Sequence, residues 1–482
     1  MAEYEVVIGI EVHAELRTDT KLFCGCSAKF GARPNTQTCP VCLGMPGVLP
    51  VMNRRAFEHA LGAALAFNCR IPRTTRCDRK NYYYPDLPKN YQISQLYANL
   101  GTDGYVELFL DGATKKVGIL NVHIEEDAGK LLHPEAPGAD FSLVDLNRAG
   151  VPLLEIVSAP DMRSVEEADV FMRTVRDILL YLGASDCKME EGSLRFEASV
   201  SLRPRGTDKL GTRVEIKNLN SMKAVDKVVD HEIRRQEKLL QSGKAVMQET
   251  RLWDEESEMT SAMRSKEEAS DYRYFPEPDL VPVVLDEEWV EDARKSLPEL
   301  PHYRRRRFVT EYNLPEHDAL VITRDKAMAD YFEGVVSAGA SPKAASNWMM
   351  GDVLRSLNER AMSFEGYTVA VPAANLKGLI DMVESGQLSS SAGSIVFDGM
   401  VDTGKPPDEV AREKNLRQIS GEEELETVAR EVIEKNPKPV EDFRKGKKGA
   451  VGFLVGQVMK ETRGRANPKV VSEILRRLLS SE

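Results

Sequence analysis

Apolar and polar residues alternate from Ile8 to Leu16, with Ile10, Val12, Ala14 and Leu16 on one side and Glu11, His13 and Glu15 on the other. A period of two predicts a β-strand, because successive side chains point to opposite faces of a sheet. The pattern returns at Leu120-Asn121-Val122-His123-Ile124-Glu125, with Leu120, Val122 and Ile124 expected inward. Glu126 breaks it and predicts a bulge or strand end. Leu194–Arg203 and Arg213–Asn218 alternate in the same way. Helical spacing takes over at Ala168, Phe171, Val175, Ile178 and Leu182, behind a Ser164/Glu167 capping box and ahead of Gly183. A second helix is expected from Ser221 to Gly243.

Pro276, Pro278, Pro282, Pro298 and Pro301 mark a change from strands to helices and place a boundary near residue 293. The expected organisation is α+β: an antiparallel-sheet domain over 1–293, a helical domain over 294–407 and a small α-helical tail domain over 408–482. Asn347-Trp348-Met349-Met350 reads as core or partner surface, and Gly404-Lys405-Pro406-Pro407 as a linker. Ser420-Gly421-Glu422-Glu423 is a further capping box.

At 482 residues the chain is too long for one core. Its 42% hydrophobic and 29% charged content is that of a soluble globular protein, and no apolar run is long enough for a membrane span. The N-terminus leads straight into the first strand without a leader pattern, so a cytoplasmic location with reduced thiols is expected. A net charge of −11 argues against indiscriminate nucleic-acid binding. Local basic clusters remain at Tyr303–Arg307 and at Lys445, Lys447, Lys448, Lys460, Arg463, Arg465 and Lys469. Each is either a solvated helix face or an RNA contact.

Four of seven cysteines form two close pairs, Cys24/Cys26 and Cys39/Cys42, joined by a loop that includes Arg33–Thr38. That spacing suits a structural zinc ion with four sulfur ligands and no open position, and a disulfide framework is the weaker alternative. Cys69, Cys77 and Cys187 lack the pattern and read as small core residues.

The polar strand faces carry the remaining chemistry. Glu155 lies in the nearly continuous apolar run Val151–Val157, where a lone carboxylate is unfavourable without a cation or donor. It is a metal-ligand candidate, with a salt bridge to Arg148 as the alternative. Arg195, Glu197 and Arg203, then Arg213, Glu215 and Lys217, interleave acids with bases, which suits a nucleoside triphosphate and its Mg²⁺. A P-loop is absent. Tyr82, Tyr83 and Tyr84 beside Arg79 and Lys80 suit base stacking and phosphate contact, or an ordinary core.

These strings resemble one family. Gly9–Leu16, Asp78–Tyr82 with Tyr84-Pro85-Asp86, Glu125–Lys130, Asp145–Arg148, Lys188–Arg195, Glu215–Ser221, Asp271–Asp279 and Gly449–Lys460 occur in order as in the B subunit of the glutamyl/aspartyl-tRNA amidotransferase (GatB) family. The resemblance implies a cradle related in fold to glutamine synthetase, followed by a helical domain and a tail. It implies use of ATP to phosphorylate the side-chain carboxylate of misacylated Glu-tRNA(Gln) or Asp-tRNA(Asn). Ammonia would come from an amidase A subunit, and a small C subunit would complete a heterotrimer.

The implied Mg²⁺ ligands are Glu11, His13, Glu126 and Glu155, with Glu125 beside them and not distinguished from Glu126. Lys80 and Tyr82 line the same pocket, and Asn147, Arg148, Glu190, Arg195, Glu215 and Lys217 are expected around the nucleotide. Lys445, Lys447, Lys448, Lys460 and Arg463 are expected to contact tRNA. A zinc-stabilised RNA-binding scaffold and a stand-alone ligase using free ammonia are the competing readings.

Overall fold

A computed structural model describes residues 4–480 apart from 111–112, 135–139, 220, 266–270, 417–421, 445–448 and 463–465. The chain divides into two compact units, Met1–His302 and Tyr303–Glu482.

The first unit opens with β1 (Tyr4–Glu15), α1 (Arg54–Ala66), β2 (Thr74–Thr75), β3 (Asp78–Asn81) and β4 (Tyr91–Ser94). The long hairpin β5 (Gly101–Leu110) and β6 (Ala113–Glu126) follows, then β7 (Lys130–Leu132), β8 (Leu143–Asp145) and β9 (Pro152–Ser158). After α2 (Val165–Tyr181) come β10 (Leu194–Pro204), β11 (Val214–Leu219), α3 (Met222–Gln241), β12 (Glu249–Asp254) and β13 (Met259–Ser265). The unit closes with β14 (Phe275–Pro276), β15 (Val283–Val284) and α4 (Glu287–Lys295).

Eight strands make the main sheet, in the order β13-β12-β11-β10-β1-β9-β6-β5. The expectation of a purely antiparallel sheet needs one correction: β11 and β12 run parallel. Parallel neighbours require a crossover, and α3 supplies it. The sheet is therefore mixed and the unit α+β.

Burial follows the alternation. Ile8, Ile10, Val12 and Ala14 of β1 are buried with Phe171, Val175 and Ile178 of α2 and Val225, Val228 and Val229 of α3. Both predicted helices form. Ser164 Oγ accepts the Glu167 N–H at 3.1 Å, and Ser221 Oγ accepts that of Ala224 at 3.0 Å. The Glu167 carboxylate reaches back one residue further than a capping box requires, to the Arg163 N–H at 2.5 Å.

Leu120 differs from expectation. The register shifts between Ile119 and Asn121, leaving Leu120 51% exposed while Ile119 is buried. An inserted residue in one strand resets which side chains face the core. As expected, β6 ends at Glu126.

In the second unit, helices between Phe308 and Ala411 share one hydrophobic core, and helices from Leu425 to Leu479 share another. Met349 lies in the first core, Trp348 and Met350 pack against it partly buried, and Asn347 is exposed. The segment expected as a linker is a tight helix–helix turn. Gly404 (φ +69°) ends Ser390–Thr403, and Pro407 begins Pro407–Glu413, whose Val410 and Ala411 join the first core.

In the Tyr303–Arg307 run, Arg304 and Arg307 are already paired. Arg304 is buried, with its guanidinium 2.6 Å from Asp330 and paired with Glu333, and Arg307 lies 2.7 Å from Glu333. Ser420 and Gly421 lie outside the described residues.

Candidate active site and cysteine cluster

Strand register brings the polar groups together. Glu155 on β9 lies opposite His13 on β1 and opposite His123 on β6. His13 in turn lies opposite Arg195 on β10. One row therefore crosses four neighbouring strands as Arg195, His13, Glu155 and His123.

The carboxylate between the imidazoles accepts from both sides. Glu155 Oε2 is 3.4 Å from His13 Nε2 and 3.3 Å from His123 Nε2. Glu11 and Glu125 flank the row, at 3.5 and 3.8 Å from His13 Nε2. Asn121 Oδ1 lies 2.9 Å from His123 Nδ1, turning Nε2 toward Glu155. Possible donor atoms of Glu11, His13 and Glu155, and separately of His123, Glu125 and Glu155, fall within 4.8 Å of one another.

The electrostatics describe a site built for added positive charge. Burial and the Glu155 charge push Glu11 up to about 7. The same two causes raise Glu125. Burial would lower His13, yet the hydrogen bond and charge of Glu155 hold it up at about 9. Glu155 itself stays well below the usual carboxylate range against its burial, held there by His123 and His13. The proton held on His13 sets positive charge against the buried acids. A divalent cation could replace that proton, so this donor set fits one.

The sheet β14-β3-β4 supplies the adjoining wall. Ser94 Oγ donates to Glu125 Oε2 at 3.3 Å, and Gln92 Nε2 to the Glu126 carbonyl at 2.8 Å. Tyr82 donates its hydroxyl to Gln92 Oε1 at 3.2 Å. Lys80 Nζ sits 5.6 Å from the Tyr82 ring centre and 5.3 Å from that of Tyr272. Lys80, Tyr82, Tyr83, Tyr84, Lys217 and Tyr272 line a cavity of ≈ 1430 Å³. The Arg79 guanidinium is held by acidic neighbours. Glu277 accepts from it twice, at 2.6 and 2.9 Å, and Asp279 once, at 3.2 Å.

Most of the remaining expected residues already have protein partners. Glu126 pairs with Lys89 and accepts the Ile93 N–H at 2.9 Å. Adjacent strand residues point to opposite faces, so Glu125 and Glu126 cannot both reach the row. Arg148 donates to the carbonyls of Ala128 and Gly129 at 3.0 and 2.7 Å and lies near Asp127, so the alternative salt bridge to Glu155 is not formed.

Arg195 pairs with Asp127 at 2.8 Å, and Glu215 with Arg213 at 2.7 Å. Lys217 reaches Glu197 at 2.7 Å, and Glu190 is exposed on a short 3-10 turn. His123, missing from the expected ligand set, had a visible signal in its shared face with Glu125.

The Sγ atoms of Cys24, Cys26, Cys39 and Cys42 also fall within 4.8 Å of one another, a set that could hold a metal ion. The Cys42 thiol is pulled down to about 4, first by its hydrogen bond with Cys24 and also by the Lys21 charge. Asn147, expected near nucleotide, instead braces the loop between the cysteine pairs. It accepts the Gln37 N–H at 2.8 Å and donates to the Arg33 carbonyl at 2.7 Å. Cys69, Cys77 and Cys187 are buried as expected. Lys460 is exposed, while Lys445, Lys447, Lys448, Arg463 and Arg465 lie outside the described residues. Among the described residues no helix is long and apolar enough to cross a membrane.

Residues 6–291 match the model of the GatB/GatE catalytic domain, and residues 330–479 match that of the GatB domain. The chain is 55% identical over 478 residues to the B subunit of the aspartyl/glutamyl-tRNA(Asn/Gln) amidotransferase of Caldanaerobacter subterraneus subsp. tengcongensis, covering 99% of this chain and 100% of that one. It is 54% identical over 478 residues to the B subunit of the same name from Thermoanaerobacter sp. (strain X514), with the same coverage. For that of Carboxydothermus hydrogenoformans the figure is 52% over 477 residues, 99% of each chain. With the catalytic-domain match spanning the whole imidazole–carboxylate row, the chain belongs to the family of aspartyl/glutamyl-tRNA(Asn/Gln) amidotransferase B subunits.

Proposed function

We propose that this chain is the ATP-dependent, amide-forming subunit of a tRNA amidotransferase. Its substrate is the side-chain carboxylate of misacylated Glu-tRNA(Gln), Asp-tRNA(Asn) or both, and the products serve translation. The observation that carries this reading is the row His13–Glu155–His123 flanked by Glu11 and Glu125, beside a cavity lined by Lys80 and Lys217. The cavity exceeds the roughly 300–1,000 Å³ of an ordinary small-molecule pocket, leaving room for a nucleotide and an aminoacylated tRNA end.

A carboxylate does not react with ammonia directly, because oxide is a poor leaving group. Its oxygen first bonds to the γ-phosphorus of ATP as the bond to ADP breaks. Ammonia nitrogen then bonds to the acyl carbon, phosphate leaves, and nitrogen loses a proton. Lys80 and Lys217 are placed to attract the anionic phosphates and the substrate carboxylate. Glu11, His13 and Glu155, with His123 and Glu125, would hold Mg²⁺. Bound there, magnesium supplies positive charge to the phosphoryl oxygens. The tyrosine wall limits water around a reactive acyl phosphate.

In this reading the first unit forms the cradle, the cysteines hold a structural zinc, and the tail over 408–482 grips tRNA. An amidase A subunit and a small C subunit complete a cytoplasmic heterotrimer. The test is single-turnover phosphate release from ATP, with and without Glu-tRNA(Gln), in the assembled complex with Mg²⁺. Release that ignores the tRNA, or does not occur, would overturn the assignment.

Two further outcomes are expected. To act as a magnesium ligand His13 would have to give up its proton, which it holds up to about pH 9. Affinity should therefore rise toward that pH, by at most about tenfold per unit for one proton. Calorimetry in buffers of different ionisation enthalpy should detect the released proton, and binding without release would speak against His13 as a ligand. In the tail, replacing Lys445, Lys447 and Lys448 with Ala should weaken tRNA binding and flatten the log–log salt slope by about 2. An unchanged slope across a salt titration would remove these lysines from the interface.

A further inference from the structure

We propose that Lys21 is the charge partner of the cysteine metal centre, a positioning residue that holds Cys42 as a thiolate ligand. The proposal rests on reading the four cysteines as a zinc site. Lys21 is completely buried, which is rare for lysine. Its Nζ lies 3.7 Å from Cys42 Sγ and 3.4 Å from the Leu146 carbonyl oxygen.

Among the described residues no carboxylate pairs with this ammonium. A buried ammonium is unfavourable unless an anion lies against it. The nearest candidate anion is the Cys42 sulfur. From the metal's side the need is complementary: four thiolates around a divalent ion leave two negative charges unbalanced. Lys89 lines the same small cavity as Cys24 and Cys42, but its charge is already matched by Glu126.

Lys21 also ties the two cysteine pairs to each other. Its backbone N–H donates to the Cys26 carbonyl at 2.9 Å, while its side chain reaches Cys42. The Leu146 contact fixes the ammonium from the far side, next to Asn147, which braces the loop between the pairs. Hydrogen-bond donors behind metal ligands orient them and tune their affinity, and their loss commonly costs 10–100-fold.

The test uses the full-length chain, its zinc content measured by elemental analysis and its affinity by competition with a chromogenic chelator. Cobalt is then substituted, and the sulfur-to-cobalt charge-transfer band recorded. Lys21→Met is expected to weaken zinc binding by about 10–100-fold and to shift that band, while Lys21→Arg stays within about threefold of the parent. A parent protein with neither zinc nor a cobalt–thiolate band would sink the zinc reading itself. A parent holding one zinc, with Lys21→Met equal in affinity and spectrum, would overturn the role of Lys21 alone. If Lys21→Met does not fold, Cys42→Ser against Cys26→Ser decides. Loss of the sulfur facing Lys21 should cost at least about tenfold more zinc affinity, and equal losses would overturn the proposal.

Discussion

Replacing Glu155 with glutamine is expected to lower tRNA-dependent phosphate release by about 10²–10³-fold, the scale of removing a preorganised electrostatic contact from a transition state. Three consequences converge on this one carboxylate. It is the only residue common to both groups of candidate ligand atoms. Its charge and hydrogen bonds raise both His13 and His123 against their burial. It also raises its neighbours Glu11 and Glu125. The glutamine is nearly the same size, so packing of β9 between β1 and β6 should survive, and circular dichroism should be unchanged. Single-turnover phosphate release is the readout, with magnesium affinity beside it. A variant that keeps phosphate release within about threefold of the parent would show that charge at this position is not what the site uses.

Glu277→Ala is expected to cost about 3 kcal/mol of stability, the lower end of breaking a buried ion pair from one side. The Glu277 side chain is fully buried and accepts both bonds of the Arg79 fork. Removing it leaves the guanidinium, itself only 19% exposed, with the single weaker partner Asp279 and the face of Tyr91 at 4.3 Å. The damage should extend to chemistry, because β14 pairs with β3 directly beside Lys80. Thermal and denaturant unfolding of the variant provide the measure. A loss below about 1 kcal/mol would mean that Asp279 or water replaces the partner fully.

How far the site could be read from the chain varies by residue. Alternation around His13 and His123 announced polar strand faces, because side-chain direction along a strand has a strict period of two. The isolation of Glu155 among apolar residues announced a buried charge needing partners. Neither observation named those partners. Arg148 is nearer in sequence, yet Glu155 meets two histidines brought opposite it by strands more than a hundred residues before it and about thirty residues before it. The choice between Glu125 and Glu126 likewise waited on which face each occupies. Arg79 and the Tyr303–Arg307 run looked like ligand contacts because composition records charge without recording who neutralises it.

The chain's own pattern determined the strands and helices, their caps, the cysteine cluster and the family, since each depends on spacing within a few turns or a short loop. Tertiary structure alone decided the Arg195–His13–Glu155–His123 row, the parallel β11–β12 pair, the bulge that exposes Leu120 and the burial of Lys21 against Cys42. These are matters of register and of long-range charge pairing, where segments distant along the chain compete for one position, and only packing selects the winner.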